Sequence, residues 1–247
     1  MKISLSTPHF FGQESKMLKK CISSKWISSS GPLTKDFENK IKKYLKVKNI
    51  LGVINCTSAL QLSIRLLKPK LNEEIIVPSI TFISPVNAVI YNNCKPIFMD
   101  CNKNFLIDVD KVINFLEEET ILKKGNCYNK RTKKRILAII IVHTFGNLVN
   151  LSDKFIKACK DRNIKIIEDA AESFGSYYYN RKKKHAGTSG YLGCLSFNAN
   201  KIITAGGGGM IIFSKKSLFS KALYLATQAK NNSTYFIHHE IGYNFRI

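Results

Sequence analysis

Short apolar runs alternate with amphipathic stretches along most of the chain. That alternation marks a mainly parallel sheet with helices on its faces. In residues 34–45 (TKDFENKIKKYL), Phe37, Ile41 and Leu45 recur at every fourth position, which places them on one face of a helix. Residues 51–55 read as a short strand, and 57–67 (TSALQLSIRLL) as a helix opened by two hydroxyl residues suited to capping its start. A strand over 74–77 ends at Pro78, and 84–91 is predicted helical, with Pro85 tolerated in the first turn. A strand over 96–99 and a helix over 108–118 follow, then a basic, polar connection over 119–135. The run 136–142 (ILAIIIV) is apolar throughout, as expected of a central strand buried on both faces. A helix over 151–162, strands over 164–168, 193–197 and 209–213, and a helix over 216–229 complete the pattern, whose character changes near Asn231.

With 45% hydrophobic and 11% aromatic residues, the 247-residue chain has the material for a sizeable core, which excludes wholesale disorder. No apolar run is long enough to cross a bilayer, and MKISLSTPHFFGQESK lacks the apolar stretch of a signal peptide, so a cytoplasmic location is expected. The seven cysteines (Cys21, Cys56, Cys94, Cys101, Cys127, Cys159 and Cys194) include no CxxC pair. They are read as buried or half-buried thiols in a reducing compartment, with no disulfide framework and no metal site. The net charge of +22 is dispersed, with local runs at 131–135 (RTKKR) and 181–184 (RKKK) read as solvated loops or hairpin tips. Charge without a reader motif does not make a nucleic-acid partner, although the field favours an anionic small substrate.

Three segments carry candidate chemistry. The strand IKIIED (164–169) ends in two acids, and ligands of open α/β sheets sit beyond the carboxyl ends of the strands. Asp169 there can meet a pyridinium nitrogen, a metal or a ribose hydroxyl, or simply cap the following turn. Lys201 follows the apolar strand and SFNAN, and precedes IITAGGGGM, whose glycines allow the backbone to approach a flat ligand closely. A sheltered lysine at such a place is a nucleophile toward a carbonyl, while an ordinary glycine-rich hairpin with a bystander lysine fits the same letters. NCTSAL (55–60) opens a helix whose free N–H groups, with two hydroxyls, suit a phosphate or serve as plain caps. Together a lysine for an aldehyde, an acid for a ring nitrogen and a helix start for a phosphate are the parts needed to bind pyridoxal phosphate.

The chain resembles the DegT-type sugar-nucleotide aminotransferases of the aspartate-aminotransferase fold. SSGPLTKDFE, NCTSALQLSI, VPSITFISPVNAV, VHTFGN, IIEDAAESFGS, SFNANKIITAGGGGMI and HHEIGYNFRI occur in the family's order. WISSSG, HTFG and FNANKIITAGGGGMI look most like the subgroup making UDP-4-amino-4,6-dideoxy-N-acetylglucosamine for bacillosamine or legionaminic acid. The resemblance implies an α/β fold: a three-layer large domain over 1–230, opening with an N-terminal segment over 1–33, around a mainly parallel mixed sheet. Residues 231–247 would begin the connection to a small C-terminal domain that is missing here. It also implies that Lys201 holds pyridoxal phosphate covalently and later moves the proton, and that Asp169 pairs with the pyridinium nitrogen. Glu172 would sit near the ring hydroxyl, where the family often has Gln. Phe82 would stack on the ring, and Thr57, the Ser58 backbone and Ser196 would hold the phosphate. Asn244 would reach the cofactor phosphate of the other subunit in a homodimer with shared sites. His143 reads as structural. Cys56 stands where the family has Gly, with a Cβ expected to crowd the phosphate turn.

The implied reaction moves an amino group from glutamate to a UDP-linked 4-keto-6-deoxy sugar. Perosamine-type enzymes using dTDP or GDP sugars are the alternative. A sugar 3-dehydrase of the same family would have His in place of Lys201, and a non-catalytic relative would be expected to lose Lys201 or Asp169; both residues are present.

Overall fold

The computed structural model describes residues 3, 7–26, 28, 31–179, 183–231 and 234–247. The chain runs through α1 (Gln13–Ser23), α2 (Pro32–Leu45), β1 (Ile50–Val53), α3 (Cys56–Leu66), β2 (Glu74–Pro78), α4 (Ile83–Tyr91) and β3 (Lys95–Met99). Then come α5 (Val109–Glu118), β4 (Thr120–Lys123), β5 (Asn126–Asn129), β6 (Ile136–Val142), α6 (Asp153–Asp161), β7 (Lys165–Asp169), β8 (Tyr177–Tyr178) and β9 (Lys184–His185). The last elements are β10 (Leu192–Ser196), β11 (Gly209–Phe213) and α7 (Lys216–Ala226).

Among the described residues, seven strands form one sheet in the order β1–β11–β10–β7–β6–β2–β3. Every neighbouring pair is parallel except those made by β11, which runs against both β1 and β10. β6 lies between β7 and β2 and is buried almost throughout, which is why its sequence shows no polar alternation. On one face, α3, α4 and α7 pack over Val53, Ile75, Val77, Ile140, Ile167 and Ile211. On the other, α5 and α6 enclose Ile76, Ile139, Ile141 and Phe155, and α2 covers Ile50, Leu195, Phe197 and Ile212. α3 is buried nearly all round because it lies between the sheet and two other helices, and Leu60, Leu62 and Ile64 are inaccessible. Each such side chain contributes about 1.5–3 kcal/mol of burial.

Several expectations need correction. The connection over 119–135 contains the antiparallel hairpin β4–β5, whose strand pattern is hidden because polar Thr120 and Asn129 are buried while Leu122 is exposed. α1 is not among the expected elements: Met17, Leu18, Cys21 and Ile22 share one face of it, yet none of its residues is buried. The last helix stops at Ala226 because Gln228 and Ala229 take left-handed backbone conformations. Asn55, rather than a hydroxyl residue, caps α3 by accepting the Ser58 N–H at 2.8 Å. The basic loop 131–134 is exposed, as expected, while Arg181 and Lys182 lie outside the described residues, as do Ile27, Ser29 and Ser30 of WISSSG. All seven cysteines are free thiols. No helix among the described residues is long and apolar enough to cross a membrane.

Candidate active site

β1, β2, β6, β7 and β10 point their carboxyl ends the same way, and the predicted site residues follow those ends. Asp169 closes β7, level with Val142 of β6 and Cys194 of β10. Strand alternation turns its side chain toward the α3 face and its neighbour Glu168 to the opposite one. Asp169 is 5% exposed. Its Oδ1 accepts the Ala171 N–H at 3.0 Å, so it caps the following turn as well. Burial pushes its pKa up to about 6, against the opposing pull of that N–H, His143 and Lys201.

Lys201 and Glu172 meet beside this acid. Lys201 Nζ lies 3.3 Å from Glu172 Oε1, with the lysine side chain mostly covered and the glutamate half exposed. The other oxygen of Glu172 accepts the N–H of Phe145 at 3.0 Å. Phe145 has φ 54°, a left-handed conformation costly for an aromatic residue, and its ring is exposed. The Glu172 bond therefore ties the turn after β6 to the residue that partners Lys201.

The start of α3 forms a second side of the site. Thr57 Oγ1 lies 2.8 Å from Ser84 Oγ, which links the first turns of α3 and α4. Phe82, at the N-cap position of α4, is 77% exposed and belongs to no core cluster. Its neighbour Thr81 and, after β6, Thr144 each carry a buried side-chain hydroxyl without a hydrogen-bond partner among the described residues. Ser196 ends β10, nearly buried, and accepts the Asn198 N–H at 3.4 Å. Asn244 is exposed on the tail, bridged to Thr227, and Arg246 Nε donates to its Oδ1 at 3.4 Å. The next residue, Phe245, accepts the Ile54 N–H at 2.9 Å, so the tail lies beside the strand end that leads into Asn55 and Thr57.

The glycine run has two kinds of setting. Gly206 and Gly207 face open space. Gly209 instead passes against the start of α3, where a Cβ would lie 2.5–2.6 Å from the backbone of Asn55 and Cys56. The Cys56 side chain turns into the core, with Sγ 4.0 Å from Asp169 Oδ1.

Behind the site, His143 is buried in a polar network. Its Nδ1 accepts the Val149 N–H at 3.3 Å, which leaves the proton on Nε2, 3.0 Å from Glu168 Oε2. Glu168 also accepts the N–H groups of Gly187, Ser189 and Gly190. Burial alone would push this carboxyl up, but His143 and the backbone donors outweigh it and hold it below the usual range. Sequence reasoning passed over Glu168, Ser84 and the Asn55 cap. Of these only Asn55 had a legible signal, an Asn standing directly before a helix.

The model of the DegT/DnrJ/EryC1/StrS aminotransferase family matches residues 11–247. The chain is 34% identical over 246 residues to EpsN of Bacillus subtilis (strain 168), a match covering 100% of this chain and 60% of that protein. It is 35% identical over 246 residues to the GDP-perosamine synthase of Escherichia coli O157:H7, covering 99% of this chain and 62% of that one. The chain thus spans about three fifths of the length of these curated relatives. The E. coli GDP-4-keto-6-deoxy-D-mannose-3-dehydratase with bound hydrated PLP shares the fold, with a TM-score of 0.83 at 22% identity over 99% of this chain and 64% of that one. By the match over residues 11–247 and these identities, the chain belongs to the DegT/DnrJ/EryC1/StrS aminotransferase family, whose members use pyridoxal phosphate.

Proposed function

We propose that the chain is the cofactor-binding part of an aminotransferase that moves an amino group from glutamate to C4 of a UDP-linked 4-keto-6-deoxy-N-acetylhexosamine. The observation that carries the cofactor reading is Asp169, a buried carboxylate whose proton affinity is raised by burial and which, among the described residues, has no cation bonded to it. A pyridinium N–H supplies that missing partner. The unpaired hydroxyls of Thr81 and Thr144 and the amide-rich start of α3 are further polar groups that a bound phosphate ester would satisfy. The residues fit pyridoxal phosphate.

Pyridoxal phosphate, when bound, supplies an aldehyde that takes up the amino group and a ring that withdraws electrons. Lys201 would hold the cofactor through its aldehyde, and its Nζ would carry a proton during the reaction. Glu172 holds the Lys201 side chain in place between these roles. Asp169 keeps the ring nitrogen protonated by a charge-assisted hydrogen bond in a dry setting. Thr57, Ser58 and Ser196 bind the phosphate, and Phe82 packs on the ring face. Asn244 serves the phosphate of a second copy in a homodimer. Exposed Ile54, Ile80, Phe82, Ile83, Phe145, Ile202 and Ile203 around the strand ends support burial of this rim in an assembly.

The motif resemblance favours a UDP-linked acceptor, while the 35% identity to a GDP-perosamine synthase favours a GDP-linked one as the second reading. The test offers UDP-, GDP- and dTDP-linked 4-keto-6-deoxy sugars side by side with glutamate. The protein is the chain together with any downstream coding sequence. Preference for the UDP sugar supports the first reading, and preference for the GDP sugar replaces it with the second.

A further inference from the structure

We propose that the cavity between the end of α2 and the β8–β9 hairpin is a binding site for a nucleoside diphosphate, separate from the site around Lys201. The cavity holds about 550 Å³, and Tyr44, Tyr177, Tyr179, Lys46, Lys183 and Lys184 are among its lining residues. Small-molecule sites typically hold about 300–1,000 Å³. The cavity lies on the α2 face of the sheet, whereas Asp169 turns toward the α3 face. None of its lining residues is among those assigned to pyridoxal phosphate.

The aromatic wall is fixed by the core. Phe174 is buried in the cluster under α2 and packs edge-on against Phe197, with ring centroids 6.1 Å apart. Tyr44 stacks on Phe174, with centroids 5.1 Å apart and planes 12° from parallel. Tyr44 stays half exposed, so a planar base can extend this stack into the cavity. Behind the rings, His185 Nε2 accepts the Gly175 N–H at 2.7 Å, which leaves the proton on Nδ1, 2.6 Å from the Ala186 carbonyl. With both nitrogens engaged, His185 is a neutral structural support, and Tyr177 packs edge-on against it at 5.1 Å. The cations supply the other half of the site: Lys46 comes from the α2 side, and Lys183 and Lys184 from the hairpin. Among the described residues no carboxylate lines the cavity, and none forms an ion pair with these lysines. The end of α2 contributes a partial negative charge there, which the full charges of Lys42, Lys43 and Lys46 outweigh. A fixed ring face between cations on two sides suits an aromatic ring that carries a compact, multiply charged anion.

The test measures equilibrium binding of ADP, adenosine and pyrophosphate to the chain together with any downstream coding sequence. ADP should bind more tightly than either of the others, because stacking and charge act on it together. Lys183→Gln combined with Lys184→Gln, both at exposed positions, should weaken ADP roughly tenfold and leave adenosine unchanged. Tyr44→Ala should weaken ADP and adenosine alike, roughly tenfold, while Tyr44→Phe keeps the ring and the affinity. Lys201→Ala should bind ADP as the unchanged protein does, so the result stands apart from the cofactor reading. Pyrophosphate binding as tightly as ADP would reduce the cavity to a charged surface and overturn the proposal. Absence of ADP binding, unchanged ADP affinity in the Tyr44→Ala and paired lysine variants, or loss of ADP binding in Lys201→Ala would overturn it as well.

Discussion

Asp169→Asn should make the cofactor-free protein more stable at neutral and alkaline pH while damaging the site. Burial holds the native Asp169 carboxyl at a pKa of about 6. The unfolded chain ionises it near the ordinary aspartate value of about 3.9. Between those values the native state keeps a proton that the unfolded state has released, so stability falls as pH rises through this window. Above pH 6 the loss is complete. A difference of about 2 in pKa, at about 1.4 kcal/mol each, is about 3 kcal/mol. Asn retains an acceptor for the Ala171 N–H and removes the charge, so urea unfolding at pH 8 should show a gain of about 3 kcal/mol. At pH 4, where the native carboxyl is already protonated, the gain should shrink below about 1 kcal/mol. In a domain of this size the pH 8 gain corresponds to a rise in Tm of roughly 6–12 °C. With pyridoxal phosphate bound the order should reverse, because the ring N–H then pairs the native carboxylate. An Asp169→Asn protein that is no more stable at pH 8, or equally stabilised at pH 4 and pH 8, would refute the reasoning.

Glu168→Ala should cost about 3–5 kcal/mol in urea unfolding, because it strands the N–H groups of Gly187, Ser189 and Gly190 and leaves His143 Nε2 with the Tyr178 hydroxyl alone. Since the fold holds the Glu168 carboxyl below its usual range, its stabilisation is present above the ordinary glutamate pKa and is lost as pH falls through the folded value, a trend absent from Glu168→Ala. Gly209→Ala should lower Tm and weaken cofactor binding together, because the new Cβ would collide with the backbone that opens α3. Calorimetry and cofactor titration on the same sample check this, and a drop in Tm with unchanged affinity would separate the two effects.

Much of the architecture is legible because burial leaves a periodic trace. β6 reads as a central strand from ILAIIIV, and α2 shows its inward face through Phe37, Ile41 and Leu45. β4 and β5 do not, because their polar Thr120 and Asn129 are buried while Leu122 is exposed, so no apolar alternation marks them. α1 carries a helical pattern in Met17, Leu18, Cys21 and Ile22 that sequence reasoning passed over, although none of its residues is buried. At the site, Asp169, Lys201 and the α3 start are legible from their place at strand ends and before a helix. The partners that set their behaviour are long-range. Glu172 grips the Phe145 turn, Ser84 meets Thr57 across 27 residues, and Cys56 lies against Asp169 across 113. No local spacing encodes such contacts. The glycine run shows the same limit, since composition announces close approach without saying that Gly209 approaches the protein's own backbone.

The central claim is that Lys201 holds pyridoxal phosphate. The direct measurement is to load the protein with pyridoxal phosphate, reduce it with borohydride, digest it and map the modified peptide by mass spectrometry. The account predicts one labelled site, Lys201, and no label in Lys201→Ala under the same conditions. A label on another of the chain's lysines, or an unlabelled Lys201 in protein that has visibly bound the cofactor, would contradict it.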